Sequence, residues 1–264
     1  MTSPNTKVAR WSDLPKRAWI TGAGKGIGRA VAERLAMTGW TVYASARTTS
    51  DLDDLSRAAA GAAGDIVPIP LDITDPEACV QAVARIADDD QPLGLAILNA
   101  GTHTPTPVEG FNAAVAGKLI ETNLTGTVNC LDPLMKLMIN QHNGHIAVVA
   151  SLAGYRGLPR AAAYSASKAG LIAMCEAFQP ELARKGIRIS VVNPGFVKTP
   201  LTDLNDFEMP FLIPVDEAVD AMITGLQKGR FEISFPTRFA ILMRLMRLLP
   251  YGLYFRLTGK ILDR

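Results

Sequence analysis

Cysteine is scarce: the 264 residues hold three, Cys79, Cys130 and Cys175, far apart in the chain. With no Cys-x-x-Cys pair and no His–Cys cluster, neither a disulfide framework nor a metal site is expected, and reduced thiols in a cytoplasmic protein are the favoured reading. Charge of one sign is also lacking. Lys and Arg number 27 against 25 Asp and Glu, a net charge of +2, and no basic tract precedes the last forty residues. A nucleic-acid partner is therefore not expected. No apolar run reaches the roughly 20 residues needed to cross a bilayer. The polar start, residues 1–16 with Trp11 embedded, lacks the apolar core of a secretory signal. Internal repeats, low-complexity linkers and composition breaks are missing too, which leaves a single domain.

What is present is an apolar fraction of 48% with 20% charged residues, the balance of a soluble globular enzyme, in a chain long enough for one large α/β domain. Short β-rich runs at 18–20, 41–46, 66–71, 95–98, 145–150, 187–192 and 231–234 alternate with helical stretches at 26–38, 108–138 and 161–182. A further helix opens at Thr74-Asp75-Pro76-Glu77, where capping-box spacing meets a Pro in the first turn. Most of these strands are apolar on both faces, which predicts a parallel sheet covered on both sides by helices. The expected architecture is a doubly wound, Rossmann-type α/β fold of about seven strands, whose ligands lie at the carboxyl ends of the strands. Its core spans 16–235, with an N-terminal extension at 1–15 and an apolar, basic helical extension at 236–264.

Chemistry-bearing residues gather at those strand ends. Thr21-Gly22-Ala23-Gly24-Lys25-Gly26-Ile27-Gly28 follows the first strand and opens the first helix. Its glycines let the backbone approach a pyrophosphate, and the helix N-terminus offers unpaired N–H groups to it. At the end of the second strand, where an acid would hold NAD ribose hydroxyls, stand Ala46 and Arg47. Arg47 and Lys25 could each bond an adenosine 2′-phosphate with roughly 1.5–3 kcal/mol, so NADP(H) is expected over NAD(H). Asp72 and Ile73 close the third strand and Asn99-Ala100-Gly101 the fourth, positions that turn chemistry alone would also explain. Asn123 is a polar residue inside a predicted helix, where a buried amide bonding its own backbone is the plainer account. Ser151 ends the fifth strand, and Asn193-Pro194-Gly195-Phe196-Val197-Lys198-Thr199 follows the sixth. Tyr164 and Lys168, four residues apart on one helix face, form a pair in which the ammonium would lower the phenol pKa from its usual ~10.

Taken in order, these motifs resemble the short-chain dehydrogenase/reductase family in its single-domain form, over about residues 15–235. The resemblance implies hydride transfer between a nicotinamide and a carbonyl or alcohol. It assigns Tyr164 as proton donor or acceptor and Ser151 as the hydrogen-bond partner of the reacting oxygen. Lys168 would hold the nicotinamide ribose and tune Tyr164, and Asn123 would hold a water linking Lys168 to solvent. For the cofactor, it implies Gly22, Lys25, Gly26, Ile27, Gly28 and Arg47 on the phosphate and ribose side, Asp72 and Ile73 at the adenine, and Asn99, Ala100 and Gly101 near the adenosine ribose. Pro194, Gly195, Val197 and Thr199 would flank the nicotinamide amide. Family members commonly form dimers or tetramers, so a homo-oligomer is expected.

Two stretches go their own way. Residues 200–214 fall where the family has a mobile lid, and Phe207, Met209, Phe211, Leu212 and Ile213 would either cover an apolar, lipid-like substrate or pack on the core. Residues 237–257 combine apolar bulk with Arg and Tyr. They suit a membrane surface, a subunit interface or docking on the lid, so the protein is expected in the cytoplasm, with peripheral membrane association among its options. An NADPH-dependent reductase of an apolar carbonyl is the leading expectation. A 3-ketoacyl reductase and a membrane-associated NADPH sensor without turnover are the alternatives.

Overall fold

The computed structural model describes residues 8–87, 91–204 and 209–262. Seven strands form one sheet: β1 (Arg17–Thr21), β2 (Thr41–Ala46), β3 (Ile66–Pro70), β4 (Leu95–Leu98), β5 (His145–Val149), β6 (Arg188–Pro194) and β7 (Glu232–Phe235). Every neighbouring pair is parallel, in the order β3-β2-β1-β4-β5-β6-β7. Thr21 lies level with Ser45 of β2 and Leu98 of β4. The chain winds outward from β1 to β3 and then returns to the other side of β1. The crevice between β1 and β4 is thus the point at which a doubly wound sheet opens to ligands.

Successive strand residues point to opposite faces, and the sheet accordingly carries two cores. Trp19 faces one of them, with side chains from α3 (Pro76–Ala87), α5 (Gly126–Gln141) and α6 (Ala162–Ala183). Its neighbour Ile20 faces the other, with α1 (Gly26–Met37), α2 (Thr49–Ala58) and α7 (Val215–Gln227). Helix α2 was not anticipated, because its run of Asp and Ser hides a two-residue apolar stripe; Leu52 and Leu55 are both fully buried. The segment 8–15 is no loose appendage. Leu14 is buried in the second core, and the Trp11 ring lies 5.1 Å from that of Trp40.

The stretch 108–138 is not one helix. Val108 and Phe111 are exposed, and α4 (Ala113–Ile120) begins only where the Asn112 side chain accepts from the Ala114 and Val115 N–H groups. Residues Glu121–Thr125 then form a π-helical turn before α5. Such turns insert an extra residue into a helix and often mark functional sites. The cap of α3 also differs from the expected box. Asp75, not Thr74, accepts from the Glu77 and Ala78 N–H groups, while Thr74 is tied to Asp72. Beyond β7 the chain continues as α8 (Thr237–Leu248) and α9 (Tyr251–Leu262).

Candidate active site

Two adjoining cavities open at the carboxyl ends of the strands. The larger, about 700 Å³, is lined by the Gly-rich turn, the end of β2 and the segments after β3 and β4. Gly22 has φ +67°, and a Cβ there would lie 2.7 Å from the Ala100 Cα, so the close approach of the β1 and β4 loops requires glycine. At Gly28 a Cβ would stand 2.3 Å from the Gly22 carbonyl oxygen. Gly28 thus seats α1 against the turn and does not itself line the cleft. Asn99 donates through its amide to the Thr21 and Gly22 carbonyls, both at 3.2 Å, and the Thr21 hydroxyl accepts from the Asn99 N–H. Asn99 therefore braces the turn in addition to lining both cavities.

Of the residues singled out in the sequence, Gly22, Lys25, Gly26, Ile27, Arg47, Asp72, Ile73, Ala100, Gly101 and Thr199 line this cleft. Its charges are more mixed than the strand end suggested. Asp51, in the first turn of α2, reaches Lys25 at 3.4 Å and also lines the cleft. On the far wall, burial pushes the Asp72 carboxyl pKa up, but hydrogen bonds from Thr74 and the charges of Arg47 and Lys118 hold it below the ordinary value. Lys118, on α4, is a third cation that no motif announced.

The smaller cavity, about 230 Å³, holds Ser151, Tyr164 and Lys168 together with Pro194, Gly195, Val197 and Thr199. Ile27, Asn99, Gly101, Thr102, Thr199 and Leu201 line both cavities and join them. Ser151 sits where β5 gives way to a short turn; its hydroxyl accepts from the Ala153 N–H at 3.1 Å and donates to the Pro194 carbonyl at 3.4 Å, in the same cavity as Tyr164. The remaining walls are mainly apolar, with Leu152, Leu158, Phe196 and Phe239 prominent.

The electrostatics of the Tyr–Lys pair differ from expectation. Burial pushes the Tyr164 phenol above its ordinary value, opposed by the neighbouring Ser151 hydroxyl; Lys168 has no part in that balance. The Lys168 amine lies 5.8 Å from the Tyr164 ring centroid and donates instead to the Val149 carbonyl at 2.9 Å. Its own pKa falls to about 8 because burial disfavours the charge. Asn123 is fully buried in the π turn and lines neither cavity. Its side chain accepts from the Thr102 N–H at 2.7 Å and donates to the Thr102 carbonyl at 2.9 Å, which clamps the loop after β4 that carries Gly101. The amide is satisfied, but by a distant segment and not by its own helix.

His103 was missed. It lines the smaller cavity with its ring edge-on to Tyr164, centroids 4.7 Å apart, and burial lowers its pKa. A lone His in a loop carries no sequence signal; only the fold brings it beside Tyr164. The lid divides in two. Ile213 is buried and bridges Val197, whereas Phe211 and Leu212 are exposed; Phe207 lies outside the described residues. Phe211 stacks on Phe239 of α8, which also stacks on Phe196. The inner side of α8 therefore does meet the lid, as one of the three expectations for the extension had it.

Comparison with known proteins bears on the fold and family. The family model described as short chain dehydrogenase matches residues 16–208. An uncharacterized oxidoreductase of Myxococcus xanthus is 36% identical over 239 residues, covering 90% of this chain and 94% of the relative. A 3-oxoacyl-(acyl-carrier-protein) reductase of Thermotoga maritima is 32% identical over 80% of this chain and 82% of its own. Among solved structures, a short chain dehydrogenase of Burkholderia cenocepacia in complex with NADP superposes with a TM-score of 0.79 at 28% identity, covering 96% of this chain and 99% of the other.

Proposed function

The chain belongs to the short-chain dehydrogenase family, and from that membership we propose that it is an NADP(H)-dependent oxidoreductase interconverting a carbonyl and an alcohol on an apolar, lipid-like substrate. One observation carries the reading: Ser151, Tyr164 and Lys168 meet in a mainly apolar cavity that adjoins the Gly-rich cleft. The cleft suits a dinucleotide because Gly22, Gly24 and Gly26 line it where the turn opens α1, beside the cations Lys25 and Arg47. Gly22, Lys25, Gly26, Ile27 and Arg47 would hold its phosphates, Asp72 and Ile73 its adenine end, and Pro194, Gly195, Val197 and Thr199 its nicotinamide end. A bound NADPH supplies the hydride that reduces the carbonyl carbon.

The chain's own residues supply the rest. With its pKa raised, the Tyr164 phenol stays protonated at neutral pH and donates its proton as the carbonyl oxygen gains charge. The Ser151 hydroxyl donates to the same oxygen and stabilises that charge. Lys168, in the same cavity, would hold the nicotinamide ribose, and Asn123, through Thr102, sets the loop shared by the two cavities. Arg47 supports NADP(H) over NAD(H), since one charge-assisted bond to the 2′-phosphate is worth about tenfold or more. Tyr164→Phe is expected to abolish carbonyl-dependent NADPH oxidation while leaving NADPH binding, read by fluorescence titration, nearly intact. Retained turnover, or loss of binding, would sink the assignment of Tyr164.

A 3-ketoacyl reductase is the second reading, favoured by the similarity to the Thermotoga maritima reductase. Preference for an acyl-carrier-protein thioester over free long-chain ketones would select it. A sensor without turnover is disfavoured by the intact Asn123, Ser151, Tyr164 and Lys168 set.

A further inference from the structure

Helices α8 and α9 present an outer surface that the fold leaves uncovered. The inner side of α8 is occupied: Phe239, Ala240 and Met243 are buried in the core, and Arg244 bonds Glu232 at 2.8 Å and Ser234 at 3.0 Å. The inner side of α9 is occupied too, with Tyr254 and Thr258 buried. Arg156 fixes the corner between the helices. Its guanidinium donates to the Met246, Arg247 and Leu249 carbonyls and lies over the Tyr251 and Tyr254 rings. Cations at a helix C-terminus are favourably placed. The segment is therefore held in place by its inner groups, and its outer apolar groups are not spare core.

Those outer groups are large. Leu245, Leu248, Tyr251 and Phe255 are 58%, 80%, 71% and 60% exposed. Ile241, Leu245 and Leu248 recur at helical spacing along one side of α8, and Tyr251 and Phe255 stack on each other on α9. Concentrated exposure of this kind marks an interaction site. Charge says which kind. Apart from Arg244, which Glu232 pairs, the chain from 237 onward carries Arg238, Arg247, Arg256, Lys260 and Arg264 against a single acid, Asp263. A two-fold subunit contact sets a patch against its own copy. This one would oppose cation to cation while burying Leu and Phe. An anionic lipid surface satisfies both components, with apolar side chains among acyl chains and Arg and Lys at the headgroups. Among the described residues no helix is long and apolar enough to cross a membrane, so the contact is with one face.

We propose that the outer side of α8–α9 docks the protein on anionic lipid, and that α8 links that surface to the catalytic cavity. The link rests on the proposed reductase reading: Phe239 on the inner side of α8 lines the cavity and stacks on Phe196 and Phe211, and Phe211 is itself 44% exposed. An apolar carbonyl carried in lipid would meet aromatic side chains from the surface inward.

The test is co-sedimentation of the full chain with vesicles of phosphatidylcholine alone or mixed with phosphatidylglycerol, alongside analytical ultracentrifugation without lipid. Wild type should pellet with the anionic vesicles, less so as salt rises. Leu245→Glu with Leu248→Glu should weaken pelleting by about tenfold or more, since two exposed Leu side chains that would insert among the acyl chains are lost. Arg247→Gln with Arg256→Gln should remove the preference for phosphatidylglycerol. Both double variants should keep wild-type turnover on a short soluble carbonyl, which shows that they fold. Absence of pelleting by wild type would overturn the docking proposal. So would a wild-type dimer that the Leu245→Glu, Leu248→Glu variant splits into monomers. Vesicle binding without turnover of any carbonyl would leave docking supported and remove the reductase reading.

Discussion

Lys168 keeps 4% of its surface exposed, its amine meets one carbonyl, and its pKa drops to about 8. The sign of the consequence follows from linkage. Between about 8 and 10.5 the unfolded chain binds more protons at this lysine than the folded one, so its contribution to stability rises with pH across that window. At neutral pH the buried charge costs up to roughly 3 kcal/mol. Lys168→Met, measured by urea unfolding without cofactor, should therefore stabilise the chain by about 1–3 kcal/mol at pH 7, allowing for the lost bond to Val149, and by much less at pH 10. An equal gain at both would contradict the depressed lysine. Arg47 is the other residue whose role is separable. Because Lys25 is already drawn to Asp51, Arg47→Ala should raise the Kd for NADPH about tenfold and leave NADH almost unchanged. Asp51→Ala should tighten NADPH by releasing Lys25. A parallel loss for both cofactors would remove the 2′-phosphate assignment.

At the scale of elements, the Gly-rich turn, the π turn and the Arg156 clamp each join segments far apart in sequence. Gly28 and Gly157 make a direct contrast. A Cβ at Gly28 meets the Gly22 carbonyl at 2.3 Å and the Asn99 amide at 2.5 Å, whereas nothing lies within 4 Å of one at Gly157. Gly28→Ala should displace the turn and lower NADPH affinity by about a hundredfold or more, since both the turn and the N-terminus of α1 must shift; Gly157→Ala should be silent by the same titration. Asn123→Ala strips the Thr102 N–H and carbonyl of their partner and should cost about 2–4 kcal/mol in urea unfolding. A loss well below that range would mean that Thr102 is held by something else.

At the scale of the molecule, Phe239 of α8 lines the cavity that holds Ser151 and Tyr164 and stacks on the exposed Phe211, which is the route the proposed apolar substrate would take. NADPH consumption should therefore rise with the chain length of ketone and aldehyde substrates. Faster turnover of short or cyclic carbonyls would refute the lipid-like substrate while leaving the oxidoreductase chemistry standing.

Much of this was legible in the chain itself. Strands apolar on both faces imply a covered parallel sheet, and glycines, Asn99 and Ser151 at strand ends, with Tyr164 and Lys168 one turn apart on a helix, imply a site, because local pattern and strand direction carry that information. Other features depended on what folding brings together. Asn123 looked like a helix residue satisfying itself, until the π turn set it against Thr102. Lys25 looked available until α2, a helix with only two apolar anchors, brought Asp51 to it. Lys168 was expected to tune Tyr164, but burial acts on both groups more strongly than either acts on the other. The tail's composition suited three roles, and only the packing of Phe239 and Tyr254 showed which side faces inward. Periodicity and turn chemistry are local properties written in order along the chain; pKa values, ion pairs and exposed faces depend on distances that exist only after the chain has closed on itself.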